Sequence, residues 1–129
     1  MHAFNSTLFD VLYQGSLVSI HDEETNSFIR ALTTERIWLG GYRVEDGKNV
    51  WGWTDGSAWD FSKFSANNPN DAQGIEDYVD MYNNDEGSWN DNKNFQSYPF
   101  VCQFYSPKIT TTNTKCSNNS KGKQEMFFE

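Results

Sequence analysis

The apolar positions of this chain change period along its length, and each change marks an element. In residues 6–14, Leu8, Phe9, Leu12 and Tyr13 fall at roughly helical spacing. Ser6 is placed to cap that helix, and Gly15 to stop it at C′. Leu17-Val18-Ser19-Ile20 then reads as a short apolar strand. Asp22 is placed to cap a second helix that runs through Leu32. Asp22, Glu23 and Glu24 lie at its start, where acids suit the helix dipole, and Phe28, Ile29 and Leu32 form its expected apolar side.

Ile37-Trp38-Leu39-Gly40-Gly41 predicts a buried strand ending in a bend that glycine permits. Asp46-Gly47 predicts a turn, and Val50-Trp51-Gly52-Trp53 a short strand with both tryptophans on one face. Asp55-Gly56-Ser57 turns the chain again. From Ser62 to Glu86 little periodicity remains, apart from a strand at Tyr78-Val79-Asp80-Met81. A loop of that length inside a small domain is usually functional or disordered. Phe100-Val101-Cys102-Gln103-Phe104 reads as a closing strand. After Pro107 the chain turns to Thr, Asn, Ser and Lys, so residues 107–129 read as a polar flexible C-terminal tail outside a domain spanning 1–106.

The chain's 129 residues suffice for one domain, and aromatic residues at 16% can supply its core. No apolar run approaches the length needed to cross a bilayer. A net charge of −8 argues against nucleic acid or an anionic membrane as partner and points to cations. The acid is concentrated. Between Phe64 and Asn92 stand Asp71, Glu76, Asp77, Asp80, Asp85, Glu86 and Asp91, with no Lys or Arg. Such a run is either a solvated loop or a metal site. Asn83-Asn84-Asp85-Glu86-Gly87 does not fit the register of an EF-hand. His2 and His21 are the only histidines, and no nucleophile elbow, Cys/His pair or phosphate loop is present, so an enzyme is not expected. Asn5 and Asn118 begin glycosylation sequons, which matter only in a secreted chain, and Met1 to Phe4 carries no apolar leader core.

Several pieces, in their order, make residues from about 8 to 104 resemble the C-type lectin-like domain. They are Gly15-Ser16-Leu17-Val18-Ser19-Ile20, Glu23-Glu24 with Phe28, Trp38-Leu39-Gly40-Gly41 and Trp51-Gly52-Trp53-Thr54-Asp55-Gly56-Ser57. Asn68-Pro69-Asn70-Asp71, Glu76-Asp77, Trp89-Asn90-Asp91 and Phe100-Val101-Cys102 complete the set. The resemblance implies an α+β fold. Two helices would flank small antiparallel sheets, with a long irregular calcium- and ligand-binding loop.

It also implies a function. In calcium-dependent members one Ca²⁺ on the long loop binds sugar directly. The matching ligands here are Asn68 and Asn70 around a cis proline, then Glu76, then Asn90 and Asp91. Their amide and carboxylate oxygens approach the six to eight that Ca²⁺ takes, and two sugar hydroxyls would complete the shell. Asn68, Asn70, Glu76 and Asn90 each keep a second polar atom for the sugar. The implied protein is a calcium-dependent carbohydrate-binding lectin, secreted or extracellular, with glycans or glycoproteins as partners.

The chain departs from the family in places. Asn68 stands where Glu or Gln is usual, which removes a charge and weakens the expected affinity for calcium. Asn70 matches the mannose-type second position and sets a lean toward mannose-type ligands. Asp71 and Asp77, with Glu76, fit the loop part of an auxiliary calcium site. The upstream carboxylates do not align, leaving Glu45 or Asp46 as substitutes. Of the family's cysteines only Cys102 remains, and Cys116 is a candidate partner for it. The first strand is short or missing before Phe4. The alternative to sugar binding is a calcium-independent lectin-like module for a protein, lipid or ice.

Overall fold

The computed structural model describes residues 14–105 and 124–128. Eight elements are regular there: β1 (Gln14–Leu17), α1 (Glu23–Ala31), β2 (Ile37–Arg43), β3 (Trp51–Trp53), β4 (Tyr78–Met81), β5 (Trp89–Asn92), β6 (Val101–Tyr105) and β7 (Gln124–Phe128). The class is α+β, as expected. The predicted helix over 6–14 lies outside the described residues, apart from its last residue, which opens β1.

Gly15 does not stop a helix. It lies in β1, opposite Phe104 of β6. The Phe104 ring lies over its α-carbon, where an added Cβ would meet Cε1 at 2.4 Å. The strand expected at Leu17–Ile20 lies earlier, at Gln14–Leu17, and Val18, Ser19 and Ile20 follow it as buried chain outside the strand, with the Val18 amide donating to Val101 O at 3.0 Å.

α1 starts where the capping logic placed it. The Asp22 side chain accepts from the Thr25 amide at 2.6 Å, which holds the Asp22 carboxyl below its ordinary range. Its apolar side is narrower than expected. Asn26 and Ile29 are buried, three residues apart, whereas Phe28 is 52% exposed and Leu32 caps the end. A helix of nine residues presents a single stripe to the core, and Phe28 falls beside it.

The strands form two antiparallel sheets, β1-β6-β7 and β3-β2-β4-β5. Gly40 links them, because its amide donates to Val18 O and its carbonyl accepts from Thr54 N, both at 2.9 Å. A Cβ there would sit 2.7 Å from Leu17 O. The tail reading of 107–129 is corrected at its end, since Gln124–Phe128 pairs with β6 as β7. Five residues with Met126, Phe127 and Phe128 in sequence have an apolar ladder to join, which their polar approach concealed.

The core lies between α1 and the second sheet. Ile29, Ile37, Leu39, Val79, Met81 and Trp89 are all at most 2% exposed. Trp51 and Trp53 share the inner face of β3, as their spacing required. Trp59 stacks on Trp53 at 4.4 Å, and Trp89 meets Trp53 edge-on at 5.6 Å. These rings close the base of the long loop.

Candidate functional site

β5 carries the Trp89-Asn90-Asp91 motif, and it is a strand rather than the surface turn that Asn90-Asp91 alone suggests. Successive side chains on a strand point to opposite faces. Trp89 and Asp91 thus face the core and the loop, opposite Met81 and Val79. Asn90 faces the other way, opposite Asp80.

The loop closes on Asp91. The Asn68–Pro69 peptide is cis. The Asn70 amide then donates to Asp91 Oδ1 at 3.0 Å and the Asp71 amide to Asp91 Oδ2 at 2.6 Å. A 3-10 turn at Ala72–Gly74 follows. Around it the Ala72 amide donates to Glu76 Oε2 at 2.9 Å, and the Glu76 amide to Asp71 Oδ1 at 3.1 Å. Asn70, Asp71, Glu76 and Asp91 therefore form one hydrogen-bonded ring. Asn68 lies at its edge, with its Nδ2 donating to Ser65 Oγ at 2.7 Å. Asn90 is not in it, since its Nδ2 donates to Asp80 Oδ1 at 3.2 Å.

One residue the sequence reading missed sits under the ring. Arg43 ends β2, and its side chain is 3% exposed. Its Nη2 donates to Glu76 O at 2.9 Å and to Asp91 Oδ2 at 3.2 Å. Its Nη1 donates to Lys48 O at 2.6 Å. Its Nε lies 3.2 Å from Asp77 Oδ1, and Nη2 lies 3.8 Å from Asp71 Oδ1. The guanidinium also rests 4.5 Å over the Trp51 ring. The strand pattern held a signal for this. Ile37, Leu39 and Gly41 take the inner face of β2, and Arg43 is the next position in that alternation.

The auxiliary calcium site does not fit these residues. An ion between Asp71 and Asp77 requires oxygens at about 2.3–2.6 Å, and a guanidinium already approaches both. At about 4 Å the repulsion between the two cations would be on the order of 8 kcal/mol at an effective dielectric of about 20. The upstream Asp46 lines a groove together with Arg43 and Asp77, so the guanidinium shares the space that an ion between those carboxylates would need. Among the described residues no three His, Cys, Asp or Glu side chains form a group able to hold a metal.

The principal set differs, because much of its donor capacity is amide oxygen. A carboxylate has about four lone-pair sites. Asp91 gives one of them on Oδ1 and two on Oδ2 to N–H donors, and Glu76 gives one on Oε2 to Ala72. The amide oxygens of Asn68, Asn70 and Asn90 accept no hydrogen bond among the described residues. Hard-oxygen capacity on the loop side therefore remains on Asn68, Asn70, Glu76 and Asp91, whereas Asn90 faces Asp80 across the strand.

Two further polar clusters are structural. Asp80 is fully buried beneath Asn90 and Asn92, and it pairs with Arg36, whose guanidinium lies over Tyr82 and Tyr98. His21 Nδ1 is 2.5 Å from Asp60, and its Nε2 is 3.1 Å from Ser57 Oγ, a spacing seen in hydrolytic triads. Ser57 Oγ, however, gives its hydrogen to Asp55 Oδ1 at 2.5 Å. Burial alone would raise the Asp55 carboxyl, but bonds from Ser19, Ser57 and Gln103 outweigh it and hold it below the usual range. This cluster ties β6 to the turn after β3. Cys116, Asn5 and Asn118 lie outside the described residues, so neither the Cys102–Cys116 pairing nor the sequons can be placed.

The fold and the loop together define a lectin-type binding domain. The family model for the lectin C-type domain matches residues 10–104. The chain belongs to the C-type lectin domain family and is a binding module, not an enzyme. A lectin of Pleurodeles waltl is 34% identical over 103 residues, which is 74% of this chain and 59% of that lectin. The chain thus spans less than two thirds of that relative's length. Among solved structures, C-type lectin CEL-I of Cucumaria echinata superposes with a TM-score of 0.67 at 23% identity, covering 74% of this chain and 71% of CEL-I. A calcium-independent type II antifreeze protein superposes at 0.64 with 25% identity, covering 71% of this chain and 68% of its own.

Proposed function

We propose that the domain is an extracellular carbohydrate-binding lectin whose sugar site is the loop from Asn68 to Glu76. Its partners are glycans or glycoproteins. One calcium ion is held by Asn68, Asn70, Glu76 and Asp91, while Asn90, the fifth ligand expected from the sequence, faces Asp80 on the other side of β5; the preference is of mannose type. The observation that supports this reading is the hydrogen-bonded ring of Asn70, Asp71, Glu76 and Asp91, because it draws three of the expected ligands, Asn70, Glu76 and Asp91, into one cluster. Calcium bound there supplies coordination positions to two vicinal sugar hydroxyls. The chain's own groups do the rest. Asn68 and Asn70 can each turn an amide NH₂ to a hydroxyl, and Glu76 can accept one.

The test is retention on mannose and galactose resins with calcium and with EDTA. Calcium-dependent elution from mannose is expected, and Glu76→Ala should weaken affinity at least about tenfold by removing one of two charged ligands. Retention that survives EDTA removes calcium from the proposal.

A second reading has a specific observation behind it. Asp91 is already served by two amides and a guanidinium, and Asn90 is committed to Asp80. A calcium-independent mode, as in the antifreeze protein named above, needs no further ligand from either. Calorimetry decides between them, since heat of calcium binding with the fold intact is expected only in the first.

A further inference from the structure

The loop carries Asp71, Glu76, Asp77 and, from β5, Asp91 within a few residues' reach, and like charges so close repel. Something must offset them for the loop to hold its shape. Arg43 is in contact with three of these carboxylates and with the main chain of the fourth residue, Glu76. Its own amide also donates to Asp77 O at 2.7 Å, so the backbone of β2 grips the far end of the loop as well. A buried arginine in this position is fixed at four sides, by Glu76 O, Asp91, Lys48 O and the Trp51 ring. Its five donors sit in a rigid planar fork that reaches acceptors on separate sides, whereas a lysine ammonium is a compact point charge on a flexible stem.

We infer that Arg43 is a positioning residue that replaces a second metal ion. Its guanidinium is the permanent counter-ion of the 70–77 loop, so the loop keeps its shape in the presence of a chelator and takes up no divalent ion between Asp71 and Asp77. The inference stands on the contacts of Arg43 and holds whether or not the loop binds a sugar. Its consequence is a division of labour. The loop's shape is set by a covalently attached cation, and any calcium the domain binds serves its ligand alone.

Amide hydrogen exchange of the full chain reads this directly. The amides of Asn70, Asp71, Ala72 and Glu76 report the ring, because each donates to one of its carboxylates. In wild type their protection in EDTA is expected to stay within about threefold of that in millimolar CaCl₂. A loss of about tenfold or more on chelation would overturn the inference.

Arg43→Asp makes the opposite case. It removes the guanidinium and adds a carboxylate to the same space. Ring protection should fall at least about tenfold in EDTA and return with millimolar calcium. A merely structural arginine predicts a loss that calcium does not repair, and that result also counts against the inference. Arg43→Lys keeps the charge without the fork, and should keep part of the protection with no response to calcium. If Arg43→Asp does not fold, wild-type calorimetry supplies the second measurement. At most one calcium per chain is expected, and two would overturn the inference.

Discussion

Asn26 offers the sharpest test of how the motif strand is held. It is fully buried on α1, three residues from Ile29, at a position where an apolar side chain is the ordinary choice. Its Oδ1 accepts from Trp89 Nε1 at 2.8 Å, and its Nδ2 donates to Gly87 O at 3.1 Å and Glu86 O at 3.4 Å. Asn26→Ala deletes all three bonds. The indole N–H of Trp89, itself 0% exposed, is then left without a partner, which costs about 1–3 kcal/mol. The carbonyl of Gly87, also buried, loses its side-chain donor at about half that cost. The expected destabilisation is about 3 kcal/mol, a large part of the roughly 5–15 kcal/mol typical of a domain.

Urea unfolding followed by far-UV circular dichroism measures it, and a double-mutant cycle with Trp89→Phe isolates the cause. Phenylalanine has no N–H to orphan, so Asn26→Ala should cost about 1–2 kcal/mol less in that background. Additivity within about 0.5 kcal/mol would refute the reasoning, because the indole bond would then contribute nothing of its own.

Three other outcomes are expected. Asp55 has its carboxyl held low by Ser19, Ser57 and Gln103, so its contribution is present above the unfolded carboxyl value and is lost as pH falls through the lower folded one. Asp55→Asn should therefore be clearly less stable than wild type at pH 7, with the gap narrowing below about pH 4 in urea titrations. Gly41→Ala would put a Cβ 2.7 Å from Val79 Cγ2 and 3.1 Å from Trp59 Cζ3, and should lower stability by about 1–3 kcal/mol in the same assay. Asp80→Ala strips the partner from Arg36 and from the amides of Asn90 and Asn92, and should destabilise by roughly 3 kcal/mol, readable as a lower thermal midpoint.

Much of the fold was legible because it depends on local signals. The Asp22 cap, the paired tryptophans of β3 and the strand at Tyr78–Met81 each follow from a few neighbouring residues. Elements that depend on distant partners were not. Trp89-Asn90-Asp91-Asn92 has three polar residues in four and gives no apolar period, yet it is a buried strand because β4 supplies its hydrogen bonds and Asp80 receives its amides. β7 has the same origin, since only the open edge of β6 makes Gln124–Phe128 a strand. Phe28 shows the reverse error, where an apolar residue near the helical stripe was taken for part of it.

The acidic run reads in the sequence as either a solvated loop or a metal site, and the strand geometry instead sets Asp80 against Arg36 and Asp71, Asp77 and Asp91 against Arg43. β2 carries Arg36 just before its first residue and Arg43 as its last, and β4 runs alongside between them. β5 lies beyond β4, and its alternation sends Asn90 to the Asp80–Arg36 cluster and Asp91 to the Arg43 ring. Adjacent letters of one motif therefore answer to different cations on opposite faces of one sheet. It follows that the two sides can be perturbed separately. A change at Asp80 should reach the loop only through the orientation of Asn90, whereas a change at Arg43 should reach the carboxylates of Asp71, Asp77 and Asp91 and the main chain of Glu76 at once. A domain so arranged has part of its loop charge offset by Arg43 before any ion arrives, which leaves the amide oxygens of Asn68 and Asn70 as its least committed ligands.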